Sequence, residues 1–149
     1  MRDTVVVDTS IAIKWVLRED DSQTAFALLT EWTDRDFQVI APALLAYEIT
    51  NALHKRIRKG EISLNRAREA LAEVLLIGLE LDFSQDPAIS IRAIELANQY
   101  GLSATYDPHY LALAEREGCE FWTADLKMWN AIKGKIDWVR YIGDYDPSN

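Results

Sequence analysis

The chain has 149 residues, of which 24 are acidic, 16 basic and 49% hydrophobic, for a net charge of −8. That hydrophobic fraction excludes wholesale disorder, and the length suits one domain, residues 1–149, burying roughly 70% of its unfolded surface. The acidic balance works against nucleic-acid binding through overall field, so any such contact needs a local basic surface.

Met1-Arg2-Asp3 leads into an apolar segment with no signal-peptide pattern, and no apolar run approaches the ~18 residues of a membrane span. Cys119 is the only cysteine, which removes intramolecular disulfides and thiolate metal clusters. A cytoplasmic protein with no membrane partner is expected.

Thr4-Val5-Val6-Val7 reads as a buried strand, too β-branched and too short for a helix. It runs into Asp8-Thr9-Ser10 and a helix from Ile11 to Leu17. Ser22 or Asp21 is expected to cap a second helix through Ala25, Leu28, Leu29 and Trp32. Phe37–Ala41 predicts a second strand. Pro42 then opens a helix to about Lys59, with Gly60 as its stop.

Ser63 caps a further helix ending near Gly78, and no strand separates these two helices, so a projecting hairpin is expected. Leu79–Phe83 predicts a short strand. Asp86-Pro87 and Asp107-Pro108 each read as a cap followed by a first-turn proline, opening helices that Gly101 and Gly118 close. Glu120–Thr123 predicts a strand, Asp125 opens a short helix, and Ile136–Tyr141 a last edge strand. Strands alternating with helices predict a three-layer α/β/α domain around a mostly parallel sheet.

In such sheets ligands bind beyond the carboxyl ends of the strands. Asp8 and Asp125 follow predicted strands, and Asp107 starts a helix, so all three fall at one edge if their strands are parallel neighbours. Each is equally readable as a helix cap. Glu48 lies within a helix on a face shared with Leu44, Leu45 and Ala52, where a carboxylate is costly unless compensated. Four carboxylates without a cysteine cluster suit a hard cation, Mg²⁺ or Mn²⁺, and metal-assisted hydrolysis of a phosphate ester. An aspartyl-phosphate phosphatase would need a second Asp where Ser10 stands, and a receiver module an acidic pair that Asp8-Thr9-Ser10 lacks.

Val5-Val6-Val7-Asp8-Thr9-Ser10, Tyr47-Glu48-Ile49-Thr50-Asn51-Ala52-Leu53, Thr105-Tyr106-Asp107-Pro108-His109-Tyr110-Leu111-Ala112-Leu113-Ala114 and Trp122-Thr123-Ala124-Asp125 follow one another in the order of a known family. With the ending Trp138–Tyr145, the chain resembles PIN-domain nucleases, especially the toxin half of VapBC-type toxin–antitoxin pairs. The resemblance implies a PIN fold with Asp8, Glu48, Asp107 and Asp125 around Mg²⁺ or Mn²⁺, and endoribonuclease activity. It also implies a homodimer and a cognate antitoxin laid across the acidic groove. By position, Ser10 and Thr123 become supporting hydroxyls, and Asn51 a support for Glu48.

His109 stands where relatives often carry a small residue, and Lys127-Met128 where some carry further acids. A catalytically silent PIN-like module binding RNA or protein is the alternative reading. His54-Lys55-Arg56-Ile57-Arg58-Lys59 ends the Glu48 helix, and its cations suit either the helix dipole or RNA phosphates. Lys55, Arg56, Arg58 and Lys59 are the candidate RNA contacts, with Arg66 and Arg68 as possible extensions. Trp15, Trp32 and Trp129 are candidates for a dimer or antitoxin seam, against the usual fate of tryptophan in a core.

Overall fold

A computed structural model describes residues 3–147; Met1 and Arg2, expected to run directly into the first strand, lie outside the described residues. In chain order it contains β1 (Thr4–Val7), α1 (Thr9–Val16), α2 (Ser22–Asp34), β2 (Gln38–Pro42), α3 (Leu44–Arg58), α4 (Leu64–Leu76) and β3 (Glu80–Asp82). There follow α5 (Pro87–Tyr100), α6 (Tyr106–Glu117), β4 (Glu120–Thr123), α7 (Leu126–Ile132), β5 (Val139–Tyr141) and a 3₁₀ turn at Ile142–Asp144. The sheet order is β3-β2-β1-β4-β5 and every pairing is parallel.

The central strands carry the burial. Val5, Val6 and Val7 are fully enclosed, and β1 pairs with β2 through Val5↔Val39 and with β4 through Val6↔Phe121. Covering helices on both faces is what makes an uninterrupted apolar strand tolerable. Connections from β1 run outward through β2 to β3, whereas those from β3 return across the sheet to β4 and β5. Right-handed crossovers therefore put α1–α4 on one face and α5–α6 on the other. The strand order reverses between β1 and β4, so a crevice opens beyond their carboxyl ends.

Helix α6 packs against β1, β2 and β4, and α5 packs along α6. Its residues Tyr110 to Ala114 are buried in succession, because the sheet covers one side and Ala93, Leu96 and Ala97 of α5 cover the other. A helix apolar all round is a helix enclosed all round. Gly118, at φ 64°, closes it in the left-handed conformation that favours glycine.

Several expectations need correction. Pro42 is the last residue of β2 rather than the first of a helix: a strand end can spare its N–H, and α3 starts at Leu44 without a side-chain cap. Asp107 is not a cap either, since α6 already begins at Tyr106 and Thr105 holds the cap position. Asp21 occupies the cap position of α2 but makes no side-chain cap bond, and Ser22 uses its hydroxyl on Glu19 N–H and the Leu17 carbonyl. The α3–α4 pair does not project: Ala67, Ala70 and Val74 of α4 are buried and both helices pack on α1.

Trp15 and Trp32 are core residues, the first donating to the Ala25 carbonyl at 2.9 Å and the second meeting Trp122 edge-on at 5.9 Å. Half-buried Trp129 stacks on Tyr141.

Leu111→Ala empties a fully enclosed site on a helix that packs against three strands. The expected loss is about 3 kcal/mol, seen as a fall in thermal midpoint on the order of 10 °C; a fall under 2 °C would mean α6 is not the organiser of its layer.

Candidate active site

The crevice at the strand reversal is where Asp8 emerges from β1. Asp8 caps α1 by accepting from Ile11 N at 3.2 Å, and is also only 5% exposed. A buried carboxylate needs donors, and two hydroxyls supply them: Ser10 Oγ to Oδ1 at 2.5 Å and Thr123 Oγ1 to Oδ2 at 2.5 Å. Both hydroxyls pass the connection on. Ser10 Oγ accepts from Ala124 N at 2.8 Å, and Thr123 Oγ1 from Asp125 N at 3.0 Å. The ends of β1 and β4 are thus sewn together through one carboxylate.

Asp125 caps α7, accepting from Met128 N at 3.1 Å, and is half-buried. Glu48, half-buried on α3, accepts a 2.5 Å hydrogen bond from the Tyr110 hydroxyl, which lies 3.3 Å from Thr9 Oγ1. Asp107 sits in the first turn of α6, and no hydrogen bond ties its carboxylate among the described residues.

Burial pushes the Asp8 carboxyl up to about 7 against the opposing pull of Ser10 and Thr123, and the Asp107 charge adds to the rise. Burial, then the charges of Asp125 and Glu48, push Asp107 up to about 6. Burial and the Glu48 carboxylate push the Tyr110 phenol upward too, so at neutral pH it is a hydrogen-bond donor. Repulsion thus links Asp107 to Asp125 and Glu48, and Asp8 to Asp107.

Among the described residues no three Asp, Glu, His or Cys side chains form a ready-made ion cage. The donor chemistry nevertheless fits a hard cation. Every candidate donor is a carboxylate oxygen, two of them are raised by burial and mutual repulsion, and Mg²⁺ typically takes one or two carboxylates plus water rather than a protein cage.

Asn51 is exposed; the donor holding Glu48 is Tyr110, a residue sequence reasoning passed over. The available signal was spacing, since Tyr110 lies three residues after Asp107 on the same helix and so on neighbouring surface. His109 is occupied elsewhere: Nδ1 donates to the Thr105 carbonyl at 2.5 Å and Nε2 meets Ser90 Oγ at 3.1 Å. Met128 is buried beneath α7 and Lys127 is exposed.

Of the basic run, Arg56 pairs with Glu19 and with Glu61 at 3.2 Å, whereas Lys55, Arg58 and Lys59 are exposed and unpaired among the described residues. Arg66 is engaged by Glu69, Glu73 and the Val16 carbonyl. Arg68 is exposed on α4.

A folded-state pKa above the ordinary 3.8 means that folding takes up a proton at Asp8. Its contribution to stability is complete below about pH 4 and is lost as pH rises through about 7. In EDTA-containing buffer, Asp8→Asn is expected to raise the thermal midpoint by on the order of 5 °C at pH 7.5, and by less at pH 5. An equal shift at both pH values would contradict this origin.

The PIN domain model matches residues 5–134. A search of curated proteins gave no match. Among solved structures, PAE2754 from Pyrobaculum aerophilum superposes with a TM-score of 0.67 at 23% identity, covering 96% of this chain and 93% of that one. VapBC2 from Rickettsia felis, bound to a DNA fragment from their promoter, superposes with a TM-score of 0.61 at 17% identity, covering 96% and 99%. At these identities the likeness concerns the fold. The family match spans β1 through α7 and takes in Asp8, Glu48, Asp107 and Asp125. The chain belongs to the PIN domain family.

Proposed function

We propose that the protein is a metal-dependent endoribonuclease, the toxin component of a type II toxin–antitoxin pair, acting in the cytoplasm as a single domain spanning residues 1–149. The observation that carries this reading is the arrangement at the strand reversal, where Asp8 is buried between the Ser10 and Thr123 hydroxyls, Tyr110 holds Glu48, and Asp107 feels the charges of Asp125 and Glu48. A buried carboxylate with further acids near enough to repel it is costly for folding and useful for holding a cation. PIN family membership supports nuclease chemistry, and the fold shared with a VapBC complex supports the toxin reading.

Asp8, Glu48, Asp107 and Asp125 would hold Mg²⁺ or Mn²⁺. When bound, the ion supplies neutralisation of the phosphodiester charge and a more acidic water. The chain's own groups divide the remaining work. Ser10 and the Ile11 N–H fix Oδ1 of Asp8 and Thr123 fixes Oδ2, which keeps one further acceptor site on Oδ2 for a cation. Tyr110 fixes Glu48. Asp107, held by no donor among the described residues, is the carboxylate able to take a proton from the attacking water; as the water oxygen bonds to phosphorus and the P–O bond to the sugar breaks, the departing oxygen takes up a proton from solvent to leave as an alcohol. Lys55, Arg56, Arg58 and Lys59 lie on α3 beyond Glu48, where RNA phosphates would pass.

A homodimer and a cognate antitoxin are the expected protein partners. Exposed Leu75 and Leu76 ending α4, and Ile91 and Ile94 on α5, offer apolar surface for them. No helix among the described residues is long and apolar enough to cross a membrane.

Purified protein is expected to cleave RNA with Mg²⁺ or Mn²⁺ and to stop in EDTA, and Asp8→Asn or Asp107→Asn to lose at least ~100-fold in rate. Full activity in either variant would reject the assignment. No turnover together with retained RNA or protein binding would favour a silent module. Tyr110→Phe keeps the ring and removes the donor to Glu48, so the Mn²⁺ concentration for half-maximal cleavage is expected to rise ~10-fold. A change in maximal rate alone would place Tyr110 outside metal binding.

A further inference from the structure

Between α1 and α3 runs a groove of about 300 Å³ that begins at Ser10 and Ala124, two members of the Asp8 hydrogen-bond network. Its walls carry four cations: Lys14 from α1, Lys55 and Arg56 from α3, and Lys59 from the C-cap of α3. On α3 these continue the face that presents Glu48, because Glu48, Ala52, Lys55 and Lys59 recur at helical spacing. At 1.5 Å per residue, Lys55 lies ~10 Å and Lys59 ~16 Å along the axis from Glu48. On a chain with net charge −8, this is a concentrated positive path leading out of a negative crevice.

One acid lines the same groove. Glu19 ion-pairs with Arg56, lies 3.5 Å from Lys14, and its side chain is 15% exposed. Its backbone is anchored, with the Glu19 N–H donating to Ser22 Oγ at 2.9 Å, so the carboxylate can leave without moving the loop. Arg56 is held independently by Glu61 at 3.2 Å, which keeps the guanidinium at the groove if Glu19 departs. Lys55 and Lys59 make no ion pair among the described residues.

We propose that this groove binds the phosphate backbone of a single RNA strand leaving the carboxylate edge, and that Glu19 is a built-in competitor the strand displaces from Arg56. The inference rests on the reading of that edge as a phosphodiester site. A carboxylate on a guanidinium can be exchanged for a phosphate, which offers guanidinium the same two-oxygen geometry. The exchange rewards a strand that also reaches Lys55 and Lys59. A mononucleotide or a short product reaches fewer of these cations and leaves Glu19 in place. The groove thus selects for strand length and favours release of cut ends.

The test is binding of a fluorescein-labelled uridine oligonucleotide of about 12 residues to full-length protein carrying Asp8→Asn, read by anisotropy across a salt series. Lys55→Ala with Lys59→Ala is expected to weaken binding ~10-fold and to flatten the log Kd against log salt slope by about 1.4, two contacts at ~0.7 each. Glu19→Gln is expected to tighten binding ~3- to 10-fold. Glu95→Gln, an equal charge change on α5, is expected to leave affinity where it was.

If Glu19→Gln binds no tighter than Glu95→Gln, Glu19 is not a competitor. If the double alanine variant keeps the affinity and slope of its parent, the strand does not run in this groove. Wild-type protein assayed in parallel for cleavage separates the two readings: binding as described without cleavage in Mg²⁺ or Mn²⁺ removes the nuclease and leaves the groove.

Discussion

The structure depends on how a buried carboxylate is satisfied at the reversal of strand order. Asp8 sits where β1 hands over to α1, and its neighbour across the crevice is the end of β4, 115 residues away in sequence. Desolvating a carboxylate there is unfavourable unless donors come from both sides. Ser10 comes from the first turn of α1 and Thr123 from the end of β4, and each hydroxyl then accepts from a backbone N–H of the β4–α7 turn. One side chain thereby sets the spacing of the two loops that border the crevice, and the same bonds orient the carboxylate.

Helix α6 makes the second contribution. Enclosed between sheet and α5, it cannot shift to suit its first turn. Asp107 consequently stands at the crevice without the capping bond its sequence context suggests, and Tyr110, one turn on, reaches Glu48 from inside the core. The arrangement is locally unfavourable, with repelling acids and a buried phenol beside one of them. Such conflicts between local stability and global fold are characteristic of functional sites.

Much of the fold was legible because its signals are local. Val5-Val6-Val7, the glycines at 101 and 118, and Asp86-Pro87 each specify a backbone conformation by their own sterics. Pro42 misled because a proline at a parallel strand's last residue and one at a helix start look alike without knowledge of the ladder. Asp107-Pro108 misled for a related reason: the helix starts one residue before the Asp, and α5 and the sheet set that register. Tyr110 escaped notice because its partners on α1 and α3 lie 101 and 62 residues away. Strand-end positions could be read from pattern, whereas hydrogen bonds across the crevice require the packed chain.

The pairing of β1 with β4 has a consequence for how the chain comes into being. An all-parallel sheet whose central contact joins the first strand to the fourth has high contact order, and such pairings close late and slowly. During synthesis from the N-terminus, Asp8 and Glu48 emerge long before Thr123 and Asp125, and until β4 has followed them Asp8 lacks its Thr123 donor. The hydrogen-bond network around Asp8 is therefore complete only once the last quarter of the chain has been made and β4 has docked on β1.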